Sequence, residues 1–204
     1  MGDHYFSAEP AAPSRPVTVQ LHLPDIELNL QADRGVFSGG RVDPGTMALL
    51  KESPPPPEAG ELLDLGCGYG PIACVLGRRS PHARVWAVDV NSRALKLTSA
   101  NAVSNYVPNV KTARPDQVPA DVFFAGIWSN PPVRVGKTAL HELLSTWLVR
   151  LAQGASAWLV VNRHLGSDSL AAWLEEHGWE VTRRASKSGY RVLQVGRPSL
   201  TGPQ

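Results

Sequence analysis

Glu61-Leu62-Leu63-Asp64-Leu65-Gly66-Cys67-Gly68-Tyr69-Gly70 is an apolar run that stops abruptly in glycine. Leu62, Leu63 and Leu65 read as a short buried parallel strand, and the glycines as the tight turn that follows it. Gly66, Gly68 and Gly70 let the backbone approach a ligand closely. Pro71 suits the first turn of a helix, where a missing N–H costs little, and Ile72, Ala73, Val75 and Leu76 continue that helix. The spacing is G-x-G-x-G. The dinucleotide fingerprint G-x-G-x-x-G would need glycine where Pro71 stands, so the loop fits a pyrophosphate poorly. Asp64 lies inside the strand end, where a carboxylate is costly unless it meets a cationic or hydrogen-bonding partner. An aminoacyl ammonium would supply one.

A second apolar, β-branched run covers 83–90, with Asp89 at its C-terminal end. An acid at the tip of a second strand, about twenty residues past a glycine loop, is placed to accept hydrogen bonds from a ribose diol. Asn91 or Ser92 can cap the next helix. Together these features predict a nucleoside-containing cofactor at the switch point of a doubly wound sheet.

With Ser129-Asn130-Pro131-Pro132 added, the chain resembles the class I S-adenosylmethionine-dependent methyltransferases, through Leu63 to Gly70 and Asp89. The Asn-Pro-Pro looks like the N-P-P-[FYWIV] motif of enzymes that methylate planar exocyclic or amide nitrogens. Asn130 to Lys137, Gly35 to Ser38 with Arg41 to Thr46, and Gly189 to Leu193 are similar to the "methyltransferase small" family, best known for the C type ribosomal RNA guanine-N2 methyltransferases. The resemblance spans about 4–195. It implies an α/β, doubly wound Rossmann-like sheet of order 3-2-1-4-5-7-6, last strand antiparallel, with an N-terminal β-hairpin extension. It also implies one methyltransferase domain over 1–204. Residues 1–57 form the extension, 58–197 the cofactor-binding and catalytic core, and 198–204 a tail.

The cofactor implied is S-adenosyl-L-methionine. Its expected contacts are Thr46, Asp64, Gly66, Cys67, Gly68, Gly70, Asp89, Val90, Asp116 and Asn130. Methyl transfer from a sulfonium needs an amine lone pair aimed in line at the methyl group. An aromatic amine delocalises that lone pair into its ring, and hydrogen bonds to both N–H groups reclaim it. The Asn130 side-chain oxygen and the Pro131 carbonyl suit that task, while Pro131 and Pro132 stiffen the loop. Asn130, Pro131 and Pro132 are therefore the expected catalytic set. Phe37, Arg41, Val133, Arg134 and Lys137 are the expected substrate contacts. Val133 stands where many relatives use an aromatic to stack on the base, so Phe37 would share that work. Relatives usually carry Phe-Asp in the fourth strand, where Phe124-Ala125 stands here.

Guanine in ribosomal RNA is the substrate the resemblance favours. Adenine, a protein glutamine, or a non-catalytic cofactor-binding role in ribosome assembly are the alternatives. The net charge of +2 does not by itself argue for nucleic acid. Charge is uneven, however. Residues 134–204 hold nine Lys or Arg against five Asp or Glu, a basic rim suited to phosphates. The best-known relatives carry a further N-terminal domain. RNA recruitment is thus expected to rest on Arg134, Lys137, Arg163, Lys187 and Arg191, or on a homodimer.

Cys67 and Cys74 make no metal or redox motif and read as small buried residues. His141-Glu142 opens like H-E-x-x-H, but Ser145 stands at the second histidine position, so no metal is expected. No apolar run approaches the length of a membrane span, and no signal peptide is apparent, so a cytoplasmic protein is expected.

Along the chain, 17–23 and 26–30 alternate apolar and polar around Pro24-Asp25, a hairpin. Asp43 and Pro44 begin a helix running to about Glu52, and Arg41, Asp43 and Thr46 are candidate cofactor-side contacts. Residues 93–105 predict a helix with Ala94, Leu95, Leu97, Ala100 and Val103 on its apolar face. Strands are expected at 110–113, 122–128 and 157–162. Helices are expected at 136–153 and 167–177, and a closing pair at 179–184 and 190–195.

Overall fold

The computed structural model describes residues 15–33, 41–132 and 135–198. Phe37, Val133 and Arg134 lie outside the described residues, as does the whole segment 35–38. Two strands come first, β1 (Val17–Leu23) and β2 (Ile26–Ala32), paired antiparallel with Leu23 opposite Ile26. Their buried positions alternate, Val19, Leu21 and Leu23 against Leu28, Leu30 and Ala32, as one apolar face requires. Helix α1 (Pro44–Glu52) follows, capped by Asp43.

The core is a seven-stranded sheet built from β3 (Ala59–Leu65), β4 (His82–Val88), β5 (Val110–Ala113), β6 (Phe124–Ser129), β7 (Leu151–Asn162), β8 (Glu180–Lys187) and β9 (Tyr190–Gly196). Its order is β5-β4-β3-β6-β7-β9-β8. Strands β3 to β7 pair in parallel, while β9 runs antiparallel to both β7 and β8. This is the sheet order expected from the resemblance.

Side chains on successive residues enter opposite layers. Leu62, Val85, Ala87, Trp128, Trp158, Val160 and Val192 pack beneath α1, α2 (Pro71–Arg79) and the hairpin. Leu63, Leu65, Trp86, Val88, Ile127, Leu159 and Leu193 pack against α4 (Lys137–Leu148) and α5 (Ser167–Glu176). A parallel sheet covered on both faces explains why its strands read as continuous apolar runs.

Two expectations are corrected. The helix expected over 136–153 ends at Leu148, and β7 starts at Leu151. The Phe124 N–H donates to the Arg150 carbonyl at 2.8 Å, and Arg150 Nε donates to the Val122 carbonyl at 3.1 Å. The start of β6 thereby takes the chain out of the helix. Leu148 and Leu151 are buried either way, so apolar spacing could not mark the boundary. The second correction concerns α3 (Ser92–Ser104), whose buried residues are Ala94, Thr98, Asn101 and Ala102. Ala100 is exposed and Val103 is 76% exposed. Polar side chains win the inner face because they bond to the loops beneath it.

Candidate active site at the C-terminal rim of the sheet

The glycine loop is bound on every side. The N–H groups of Gly66 and Cys67 both donate to the Val88 carbonyl, at 2.8 and 3.0 Å, which seats the loop on the tip of β4. Asp89 Oδ2 accepts from Gly68 N at 2.9 Å, and Oδ1 accepts from Asn91 N at 2.9 Å. From α3, Thr98 Oγ1 donates to the Gly68 carbonyl at 2.9 Å and Asn101 Nδ2 donates to the Tyr69 carbonyl at 2.8 Å. Gly70 has φ +88°, and a Cβ there would sit 2.7 Å from Thr98 Cγ2, so no other residue fits without strain.

Gly70 offers no side chain to cap α2. Asp64, fully buried, does so from β3: its Oδ2 accepts from Ala73 N at 2.8 Å. That satisfies one of the open donors at the helix N-terminus. Asp64 Oδ1 is buried and has no hydrogen bond. Burial pushes the Asp64 carboxyl up to about 8; the Ala73 N–H opposes this and the Asp89 charge adds to it. Burial also raises Asp89, against the pull of the Asn91 and Gly68 N–H groups. A buried carboxylate with one open oxygen suits an ammonium group, and an acid at the tip of β4 suits a diol. These residues fit an aminoacyl nucleoside.

Cys67 and Cys74 are buried free thiols. Burial holds Cys67 well above the ordinary thiol range and pushes Cys74 up to about 12. Both are unreactive at neutral pH.

Asn130 follows β6 directly, on the same rim. Ser129 Oγ, fully buried, donates to the Leu65 carbonyl at 2.7 Å and ties the tip of β6 to the tip of β3. Asn130 Nδ2 donates to Asp43 Oδ1 at 2.7 Å and to Thr46 Oγ1 at 3.0 Å. Its oxygen is left to face other groups. Asp43 Oδ1 also accepts from Thr46 N at 3.0 Å as the cap of α1. Tyr190 closes this side: a Cβ on Gly45 would meet Tyr190 Cε1 at 2.7 Å and Asp43 Oδ1 at 2.8 Å.

The structure therefore brings Asp64, Gly66, Cys67, Gly68, Gly70, Asp89, Val90, Asn130 and Pro131 to the rim above β3, β4 and β6. Thr46 is buried behind Asn130, so its present contact is with the asparagine. Arg41 is exposed. Asp116 lies beyond β5 in the 3-10 turn Pro115–Gln117, its side chain 77% exposed and 3.5 Å from Arg114 Nε. Lys137 is exposed at the first position of α4. Arg163, Lys187 and Arg191 share the rim, because the β8–β9 turn lies beside the tip of β7; Arg163 N donates to the Gly189 carbonyl at 2.8 Å. Sequence reasoning took Asp43 as a helix cap and a candidate cofactor-side contact, not as a partner of Asn130, and gave Tyr190 no place in the site. A separation of 87 residues hides the Asp43–Asn130 contact from any local pattern.

The sheet order, the glycine loop and the paired acids define a Rossmann-like domain of the methyltransferase class. Residues 27–194 match the family described as the methyltransferase small domain. YbxB of Bacillus subtilis, an uncharacterized protein, is 34% identical over 96% of this chain and 98% of its own. Ribosomal RNA small subunit methyltransferase C of Pseudomonas syringae is 32% identical over 88% of this chain and 54% of its own. The chain thus spans about half the length of the methyltransferase C relatives it matches. The T. thermophilus 16S rRNA N2 methyltransferase RsmC, solved with AdoMet and guanosine, superposes with TM-score 0.76 at 24% identity, over 91% of this chain and 52% of its own. The chain belongs to the methyltransferase small domain family, a family of S-adenosylmethionine-dependent methyltransferases. Among the described residues no helix is long and apolar enough to cross a membrane.

Proposed function

We propose that the chain methylates an exocyclic amine of a nucleobase in ribosomal RNA, with guanine N2 of the small subunit as the target. The observation that carries this reading is Asn130. Both hydrogens of its amide are directed at Asp43 and Thr46, so its oxygen is the atom that meets a substrate, and it meets it as an acceptor. An exocyclic amine has the N–H to give. The relatives named methyltransferase C support RNA as the carrier of that amine.

Bound S-adenosylmethionine supplies a methyl group activated on a sulfonium. Asp64 would hold the ammonium of its amino-acid part, Asp89 the ribose diol, and Gly66, Cys67, Gly68, Gly70, Val90 and Asp116 the walls around the nucleoside. Asn130 Oδ1 and the Pro131 carbonyl take the two N–H groups of the target amine and turn its lone pair toward the methyl. Thr46 acts behind Asn130. The amine lone pair would form the N–C bond while the S–C electrons stayed on sulfur, and the methylated amine would then give up one of its protons to solvent. Orientation supplies most of the rate. Arg41, Lys137 and the segment holding Phe37, Val133 and Arg134 would meet the RNA. The hairpin and α1 form an N-terminal extension, up to 57, of one domain whose core is 58–197.

The test is transfer of labelled methyl groups to small ribosomal subunits from a strain deleted for this gene, with the product base identified by mass spectrometry. N2-methylguanosine is expected. A methylated adenine or glutamine would move the substrate. No transfer to any RNA or protein, with cofactor binding intact, would make the chain a scaffold.

A further inference from the structure

Asn130 could in principle present either end of its amide to a substrate, and the two ends select opposite partners. Asp43 removes the choice. A carboxylate only accepts hydrogen bonds. Turning the Asn130 amide over would set its oxygen 2.7 Å from Asp43 Oδ1, oxygen against oxygen. Asp43 itself cannot swing aside freely. The same oxygen caps α1 by accepting from Thr46 N at 3.0 Å, and the Asp43 carbonyl accepts from Met47 N at 2.9 Å. Tyr190 and Gly45 wall it from the side.

We propose that Asp43 is the positioning residue that fixes Asn130 with its oxygen outward, and so restricts the site to acceptor nitrogens that carry hydrogen. A ring nitrogen with a bare lone pair has nothing to donate to Asn130 Oδ1 and meets it with repulsion. An amine satisfies it. The inference rests on the reading of Asn130 as the group that orients the amine, and it assigns the origin of that selectivity to the N-cap of α1 rather than to the Asn-Pro-Pro loop.

The experiment measures turnover on small subunits from the deletion strain, S-adenosylmethionine affinity by calorimetry, and melting temperature. Asp43→Ser retains an N-cap, but its hydroxyl is too short to hold both the cap and Asn130. Turnover should fall about 10–100-fold, the scale of a lost positioning contact, with cofactor affinity and melting temperature close to wild type. In an Asn130→Ala background the same change should cost less than about twofold, because Asp43 acts through Asn130. The exchange of partners is the second arm, and it holds if Asp43→Ser fails to fold. Asn130→Asp alone sets two carboxylates face to face and should be the more damaging single change. Adding Asp43→Asn restores a donor–acceptor pair and should recover at least about tenfold, as expected for directly coupled groups. Full turnover by Asp43→Ser, equal losses in the two backgrounds, or no recovery in the exchange would overturn the proposal. If Asn130→Ala itself turns over normally, the reading of Asn130 fails instead.

Discussion

At the scale of single residues, Asp64 and Asn130 divide the site's work, and each gives a separate test. Asp64 is buried, its Oδ1 has no hydrogen bond, and its carboxyl is pushed up to about 8 by desolvation and the nearby Asp89. The sign follows for an acid raised in the folded state. Asp64 favours the fold while protonated in both states, and that contribution fades as pH rises from the ordinary carboxylate range toward about 8. A cofactor ammonium reverses the balance by favouring the charged form. Binding near neutral pH should therefore release a proton, visible as a buffer-dependent binding enthalpy, and affinity should rise with pH through about 8. Asp64→Asn should abolish both effects; a proton count unchanged by that substitution would place the ammonium elsewhere. Asn130→Ala touches none of this. It should lower methyl transfer by about 10²–10³, the scale for one preorganised polar group, while cofactor affinity holds, since the glycine loop and Asp89 are untouched. Wild-type turnover would reduce the Asn-Pro-Pro to a turn.

Elements locate these residues, and the hairpin is tied in more closely than a cover for the domain needs to be. Fully buried Asn101 on α3 accepts from Gln31 N at 2.7 Å, and its Nδ2 donates to the Gln31 and Tyr69 carbonyls, both at 2.8 Å. One turn later Asn105 repeats the pattern with Asn29, accepting from its N–H at 3.2 Å and donating to its carbonyl at 2.9 Å, but in the open. Two side-chain amides thus stand in for a neighbouring strand along β2, and Asn101 extends that pairing to the glycine loop. Asn101→Ala strands buried groups and should cost about 2–3 kcal/mol of stability in chemical denaturation, and it should weaken cofactor binding. Asn105→Ala lets water replace the amide and should cost less than about 1 kcal/mol. Equal effects would show that burial does not set the difference. No periodicity reveals such a helix. The apolar residues of α3 suggested a face through Ala100 and Val103, whereas Thr98 and Asn101 turn inward because loop carbonyls await them. By contrast β3 and β4 were legible, since burial on both faces demands unbroken apolar runs. So was α1, since Asp43-Pro44 is a local start signal. Contacts between distant segments, Asp43 with Asn130 and Arg150 with Val122, are where sequence reading stops.

For the whole molecule, the remaining question is how a large polyanion reaches a rim that holds two acids. Lys137, Arg163, Lys187 and Arg191 lie on that same rim, but the structure divides them. Arg191 and Arg183 both pair with Asp168, and Lys187 lies 3.7 Å from Glu52. Lys137 and Arg163 are in no ion pair among the described residues. Lys137 also stands at the N-terminus of α4, where the helix dipole adds to its attraction for a phosphate. A paired cation must give up its carboxylate before it neutralises a phosphate, so the unpaired ones should carry more of the electrostatic attraction. RNA affinity should fall steeply with salt. Lys137→Ala and Arg163→Ala should each flatten the slope of log K against log salt by about 0.7–0.9, the release of one counterion. Lys187→Ala and Arg191→Ala should flatten it less. Filter binding of ribosomal RNA across a salt series measures all four, without catalysis. Equal slopes in every variant would mean that the basic rim does not touch phosphate and would redirect the substrate search toward protein.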